Sequence, residues 1–259
     1  MSTIKNSVYG LIDLVTLNKG IARKINDYSI RFPAKWSRYF ESNYEKENVE
    51  FLTKTCKKDM TVIDIGAHLG LISVIIAKLV GEKGQVHSFE PTPATFTLLK
   101  KIISLNNFEK IIYPHNKAVS NFNGLVDFFV DANEGSNANS LVARKDKSRE
   151  SQKIKVDTLD NIVKELKLEK LDLVKIDAEG SEQDVLNGAK ETIKTFAPII
   201  ILAIHPALIK NNNQNTADIF DIIHSFNYTV YYKEQVLSKE AFCNNSDFFD
   251  VHLIPETKK

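Results

Sequence analysis

The sequence predicts an α/β fold: seven strands in a mostly parallel sheet, helices on both faces and an antiparallel strand at one edge. Two observations predict it. Short β-branched runs alternate with amphipathic runs long enough for helices, and strand–helix–strand alternation means a parallel sheet covered on both sides. At 259 residues, with 43% hydrophobic and 26% charged content, the chain sits near the upper limit for one core and close to globular averages. One large domain over 51–259 with an N-terminal extension over 1–50 is therefore expected.

Within the extension, 8–25 has helical apolar spacing (Val8, Leu11, Ile12, Val15, Ile21, Ile25) broken by Gly10 and Gly20. YSIRFPAKWSRYF (28–40) is aromatic and strand-like around Pro33, and 43–56 reads as a helix. The extension either caps the core or covers a site.

From Met60 the regular alternation begins. TVIDIG (61–66) is a strand, LISVIIAKLV (71–80) a buried helix, and QVHSFEP (85–91) a second strand. In TPATFTLLKKIISLNN (92–107), Thr92 and Pro93 suit the cap and first position of a helix. KIIYPHNKAVS (110–120) reads as a third strand with a turn, and LVDFFVD (125–131) as a further one. The polar stretch 132–152 has no periodicity and reads as a loop, either a substrate-facing lid or plain surface. IKVDTLDNIVKEL (154–166) enters a helix at Asp157 or Asp160. LDLVKID (171–177) is a buried strand, Ser181 caps a helix running to about Thr195, and APIIILAIH (197–205) is a central strand. After a loop at 211–215 and a helix at 216–226, strands 228–233 and 248–255 form an antiparallel pair at one end of the sheet.

Composition excludes several classes. Thirty-four Lys+Arg against 33 Asp+Glu give a net charge of +1, so no global electrostatic footprint for nucleic acid exists and none is expected as partner. Cys56 and Cys243 form neither a disulfide framework nor a CxxC site. No apolar run approaches the ~20 residues of a membrane span. The N-terminus lacks a secretory pattern. A cytoplasmic location is expected.

The chemistry collects at strand ends. The first strand closes on Asp64-Ile-Gly66-Ala-His-Leu-Gly70 directly before a helix, where backbone N–H groups can approach a ligand. A dinucleotide fingerprint would want glycines at 66, 68 and 71, but His68 and Leu71 occupy two of those places. Asp64 beside the glycines suits a cationic ligand better than a pyrophosphate. The second strand ends in Glu90, one βαβ unit downstream, where an acid accepts bonds from ribose hydroxyls. The two together read as a site for a nucleoside bearing a positive group. VKIDAEGSE (174–182) adds Asp177, Glu179 and Glu182 at a strand–helix junction, where three acids repel one another unless a cation, donors or a helix dipole lie close.

VIDIGAHLGLIS, FEP and LDLVKIDAEGSEQDVLNGAK, with Tyr44-Glu45 before them and VDTLD at 156–160, resemble the FkbM family of S-adenosylmethionine-dependent methyltransferases over roughly residues 44–206. The resemblance implies the class I methyltransferase fold, a Rossmann-like sheet, and S-adenosylmethionine as cofactor. It implies a binding set of Asp64, Gly66, Ala67, His68 and Gly70 at the methionine end, and Glu90 with Pro91 at the ribose. Ala118 and Val119, within 116–120, would lie near the adenine, and Asp177 would complete the set. It further implies methyl transfer to a hydroxyl, on a sugar or other natural product. Ala203 stands where the family commonly carries Glu, so a role for that acid is not expected here.

A hydroxyl is a poor nucleophile until its proton leaves, so a general base is wanted. Asp177, Glu179 and His205 are the catalytic candidates, Asp177 as positioner and His205 as possible base; His68 is the further histidine near the loop. Asp177 and Glu179 could share a divalent cation, but no further acid or Asn at obvious spacing completes an oxygen shell, and no metal site is assigned. A methylase acting on nucleobase amines would carry an Asn/Asp-Pro-Pro-aromatic turn where this chain has DAEG. The competing readings are a cofactor-binding protein without turnover, favoured by Ala203, and a nicotinamide-dependent oxidoreductase, disfavoured by His68 and Leu71.

Overall fold

The computed structural model describes residues 8–10, 12, 14–16, 19–130 and 150–258. β1 (Ile21–Ile25) and β2 (Tyr28–Phe32) make an antiparallel hairpin. Its turn, Asn26-Asp27, has φ of 45° and 69°, the positive pair that matches strand twist in a two-residue loop. The helical expectation over 8–25 therefore fails at its C-terminal end. Among the described residues 8–10, 12, 14 and 15 are helical, whereas IARKI alternates inward and outward as a strand. α1 (Lys46–Thr55) follows, within the expected 43–56.

β3 (Thr61–Ile65), α2 (Leu71–Val80), β4 (Gln85–Phe89), α3 (Pro93–Leu105) and β5 (Ile112–His115) form parallel crossover units as expected, with Pro93 at the first helical position. β6 (Ala118–Ser120), β7 (Gly124–Val130) and β8 (Glu150–Thr158) make a separate sheet in the order β6-β8-β7. The single strand expected over 110–120 is thus two. The Asn116 amide donates to the carbonyls of Glu90 and Pro91, both at 2.9 Å, and turns the chain out of the main sheet. The helix expected at Asp157 or Asp160 is α4 (Leu159–Glu165), capped by the Thr158 hydroxyl; 150–156 pair instead with β7, and 156–158 with β6. That ladder joins segments distant in sequence, so local periodicity does not reveal it. Of the polar stretch at 132–152, residues 150–152 belong to β8 and the rest lie outside the described residues.

β9 (Leu173–Ile176) leads to α5 (Glu182–Asn187) and α6 (Lys190–Phe196), where one helix was expected. The break comes at Gly188, whose Cβ, if present, would lie 2.0 Å from the Ser120 carbonyl oxygen; the corner presses on β6. Ser181 sits at the cap position but makes no side-chain cap bond. β10 (Ile199–Ile204), α7 (Pro206–Asn211), α8 (Thr216–Ser225), β11 (Tyr228–Tyr232), β12 (Gln235–Val236), α9 (Lys239–Asn244) and β13 (Phe249–Pro255) complete the chain.

The main sheet runs β12-β11-β13-β10-β9-β3-β4-β5, eight strands where seven were expected. β13 is antiparallel to both β10 and β11, so it lies inside the sheet; the antiparallel edge is β12. Side chains alternate across the sheet with period two. Val62, Leu173 and Ile201 face a cluster with the hairpin, α1, α2 and α3. Ile63, Val174 and Ile200 face a second cluster with α4, α5, α6 and α8. Residues 21–56 thus share one apolar cluster with the main sheet. Among the described residues no helix is long and apolar enough to cross a membrane.

Candidate active site

The carboxyl ends of β3, β4 and β9 are laced by backbone bonds, placing their acids in one crevice. Gly66 and Ala67 N–H both donate to the Phe89 carbonyl at 3.0 Å, and Asp177 N–H donates to the Ile65 carbonyl at 3.0 Å. Gly66 (φ 78°) is required by contact as well as conformation: a Cβ there would lie 2.0 Å from the Asp177 carbonyl oxygen.

Glu90 is buried and holds the glycine turn. It accepts the His68 N–H at 3.0 Å and the Thr92 N–H at 2.8 Å. Burial pushes its carboxyl up to about 7 against the restraint of these bonds. Asp64, which lines the crevice, is 1% exposed; Ser73 Oγ donates to its Oδ2 at 2.6 Å, while the buried Oδ1 has no hydrogen-bond partner. Burial pushes its carboxyl up as well. A buried carboxylate oxygen without a partner is costly, and a cationic ligand would satisfy it.

Sheet alternation sends Lys175 to the same face as Asp64. Its ammonium, 3% exposed, lies 3.3 Å from Asp177 Oδ2 and 3.8 Å from Glu45 Oε2. Burial works against this charge, but Glu45, Asp177, Asp64 and Asp250 outweigh it and hold the ammonium well above the usual lysine range. Asp250 enters from β13, directly opposite Ala203 in the β10–β13 ladder. Burial raises its carboxyl to about 7 despite the attraction of Lys175. A carboxylate therefore does face this network beside Ala203, contributed by the neighbouring strand rather than by residue 203. α1 joins the same network: Asn48 donates to Glu45 Oε2 at 3.0 Å and pairs through Oδ1 with His252 Nε2 at 3.2 Å.

Past β10, His205 Nδ1 lies 2.8 Å from Glu182 Oε1, and its Nε2 lies 3.6 Å from Asp177 Oδ1, a buried atom with no hydrogen-bond partner. Burial alone would depress this imidazole; the Glu182 bond and the charges of Glu182, Asp177 and Glu179 overcome that and raise it to about 8.

Of the expected site residues, Asp64, Gly66, Ala67, His68, Glu90, Pro91, Ala118, Val119, Asp177 and Glu179 line one crevice. Gly70 does not; it opens α2, and a Cβ there would strike Leu99 Cδ1 at 2.4 Å. His205 is not part of that wall either, but stands behind Asp177. Sequence reasoning missed Lys117 and Lys175, which also line the crevice, and Asp250 behind it. Glu45 entered only through the family resemblance. The lysine in the otherwise apolar strand LVKI was the one local signal for Lys175. Among the described residues, Asp177, Glu179 and His205 bring one ligand atom each within 4.8 Å of one another. Two carboxylates and one imidazole fall short of the oxygen shell of a hard cation, and we assign them no metal.

The parallel sheet and its strand-end acids place the chain among the methyltransferases once comparison with known proteins is added: the methyltransferase FkbM domain matches residues 64–230. The chain belongs to the FkbM methyltransferase family. It is 25% identical over 213 residues to the hexuronic acid methyltransferase AglP of Haloferax volcanii, covering 78% of this chain and 84% of that protein. It is 29% identical over 150 residues to the 2-O-methyltransferase NoeI of Sinorhizobium fredii, covering 53% and 60% respectively. Among solved structures, a putative rRNA-methylase of Clostridium thermocellum superimposes with a TM-score of 0.51 at 10% identity, over 83% of this chain and 97% of that one. That likeness concerns the fold alone.

Proposed function

We propose that the chain transfers a methyl group from S-adenosylmethionine to a hydroxyl oxygen of a saccharide. The observation that carries the cofactor reading is the unpartnered, buried Oδ1 of Asp64 beside the close-packed Gly66 turn, one strand away from Glu90. A carboxylate with one oxygen left without a partner suits the positive methionine end, and Glu90 has acceptor capacity left for ribose hydroxyls. When bound, the cofactor supplies an electrophilic methyl group on a sulfonium.

The protein's part is alignment and proton removal. Asp64, the Gly66 turn and Glu90 fix the donor; an in-line displacement gains most of its acceleration from such positioning. Lys175 and the β3 backbone, through the Ile65 carbonyl, hold Asp177 at the crevice wall. Asp177 is suited to orient a hydroxyl at the crevice wall, and His205 Nε2, 3.6 Å behind Asp177 Oδ1, to receive its proton. Phe248, 56% exposed, lies with its ring centroid 4.9 Å from that of His205 and offers an apolar face on which a sugar ring can stack. The names of the two relatives, a hexuronic acid methyltransferase and a 2-O-methyltransferase, support the saccharide.

The test is incubation with S-adenosylmethionine labelled in its methyl group and a panel of neutral and uronic-acid saccharides. The expected product carries label that survives mild alkali, as an ether does. Label released by alkali, as from a carboxyl ester, or label found only on nucleic acid, contradicts the reading.

A further inference from the structure

We propose that Glu182 is a positioning residue: its carboxylate fixes the tautomer and ring orientation of His205, leaving Nε2 open beside Asp177 as the proton acceptor. The inference rests on the reading of His205 as the group that takes the acceptor's proton.

The geometry is specific. Glu182 opens α5, yet it is 0% exposed, whereas an acid serving only a helix terminus ordinarily stays in water. Its Oε1 receives two bonds, from His205 Nδ1 at 2.8 Å and from the Gly180 N–H at 3.0 Å; Oε2 is buried without a partner. No side chain other than His205 is bonded to it among the described contacts. An ionised carboxylate only accepts, so Nδ1 carries the hydrogen and the lone pair of the neutral ring falls on Nε2. That nitrogen faces Asp177 Oδ1 at 3.6 Å.

The ring is held on its other sides too. Pro206 at the first position of α7 restrains the backbone beside it, and Phe248, preceding β13, packs on the ring with centroids 4.9 Å apart. The charged groups acting on the imidazole are Glu182 from α5 and Asp177 and Glu179 from the β9–α5 connection. All three are negative and favour the imidazolium formed once the proton has moved. A carboxylate bonded to one nitrogen of a histidine whose other nitrogen does the chemistry is a recurring catalytic arrangement.

The test uses the full chain with histidine labelled by nitrogen-15, followed by long-range proton–nitrogen NMR from pH 6 to 10. The His205 signals are those lost in His205→Gln. The wild type is expected to hold the neutral ring as the Nδ1–H tautomer, with a midpoint near pH 8. In Glu182→Gln the midpoint should fall by roughly one pH unit or more, and Nε2–H should become populated. S-Adenosylhomocysteine binding should stay within about twofold. Turnover of the methylated saccharide should fall by roughly 10²-fold with little change in KM, and Glu182→Asp should recover part of it. The half-maximal rate should move with the NMR midpoint. An unchanged tautomer and midpoint in Glu182→Gln overturns the proposal, as does a shift of the Nε2 signal on adding Mg²⁺ with turnover lost to chelator. Should Glu182→Gln fail to fold, Glu182→Asp gives the same readout: altered tautomer ratio and midpoint support the proposal, unaltered ones overturn it. If the tautomer shifts as expected but wild type methylates no saccharide, the acceptor reading fails while the Glu182–His205 relationship stands.

Discussion

The Lys175 ammonium lies 3.3 Å from Asp177 Oδ2, two residues along the same chain, at the end of β9. Alternation would put both side chains on one face, and that face is covered by the N-terminal segment, which brings Glu45 to the same ammonium. A central strand, the crevice wall and residues more than 100 positions earlier thus meet at one charge.

Lys175→Met leaves Glu45, Asp64, Asp177 and Asp250 facing one another without that ammonium. Removing one partner from such a network is expected to destabilise the protein by about 3 kcal/mol, read by urea unfolding at pH 8. The deficit should shrink as pH falls, because the Asp250 carboxyl, already raised by burial and freed from the attraction of Lys175, takes up a proton and relieves the repulsion.

Cofactor affinity should depend on pH through Glu90. Its carboxyl is held at about 7 in the free protein, and the ionised form is the better acceptor for ribose hydroxyls. Affinity for S-adenosylhomocysteine is therefore expected to rise between pH 6 and 8 and to level off above. Glu90→Gln should bind more weakly by about 1.5–3 kcal/mol and lose that slope. For stability the sign is opposite. Because the folded value exceeds the usual 4.5, Glu90 favours the folded state fully below pH 4.5, and that contribution is lost as pH rises through 7.

Gly66→Ala should damage both binding and stability. At φ 78° an alanine is strained, and its Cβ would meet the Asp177 carbonyl oxygen at 2.0 Å, so β3 and β9 must separate at the crevice. A loss of about 2–4 kcal/mol is expected, with S-adenosylhomocysteine binding lost together with thermal stability.

His205→Gln should separate binding from turnover. The ring stands behind the crevice wall, so S-adenosylhomocysteine affinity is expected to hold while turnover falls by roughly 10²–10⁴-fold. In wild type the rate should rise with pH through about 8, since only the neutral ring accepts a proton.

Asp64, Glu90 and Asp177 were legible in the sequence because each lies at the end of a run that reads as a strand, and parallel strands deliver their carboxyl ends to one edge. Gly66 was legible because a turn into a helix needs it. Gly70 was legible as a turn glycine for the same reason, but it lies outside the crevice lining: it has φ 81° at the start of α2, and a Cβ there would meet Leu99. Lys175 was passed over because a single lysine inside a run read as a buried strand carries no local sign of the carboxylates that converge on it from other segments. Asp250 and Ala203 become neighbours only through the β10–β13 ladder, and β8 only through pairing with β6 and β7. Such long-range pairings leave no period in the chain. Ala203 alone suggested a missing acid, which is how the non-catalytic reading arose.

The most direct test of the account is calorimetric titration of the wild-type protein with S-adenosylhomocysteine at pH 8, beside Glu90→Ala and beside NADH. The account predicts micromolar binding of S-adenosylhomocysteine, equivalent to about −8 kcal/mol, at least a tenfold weakening in Glu90→Ala, and no heat from NADH. Binding of NADH with none of S-adenosylhomocysteine would contradict it, because the crevice would then accept a pyrophosphate where Asp64 is placed to meet a cation.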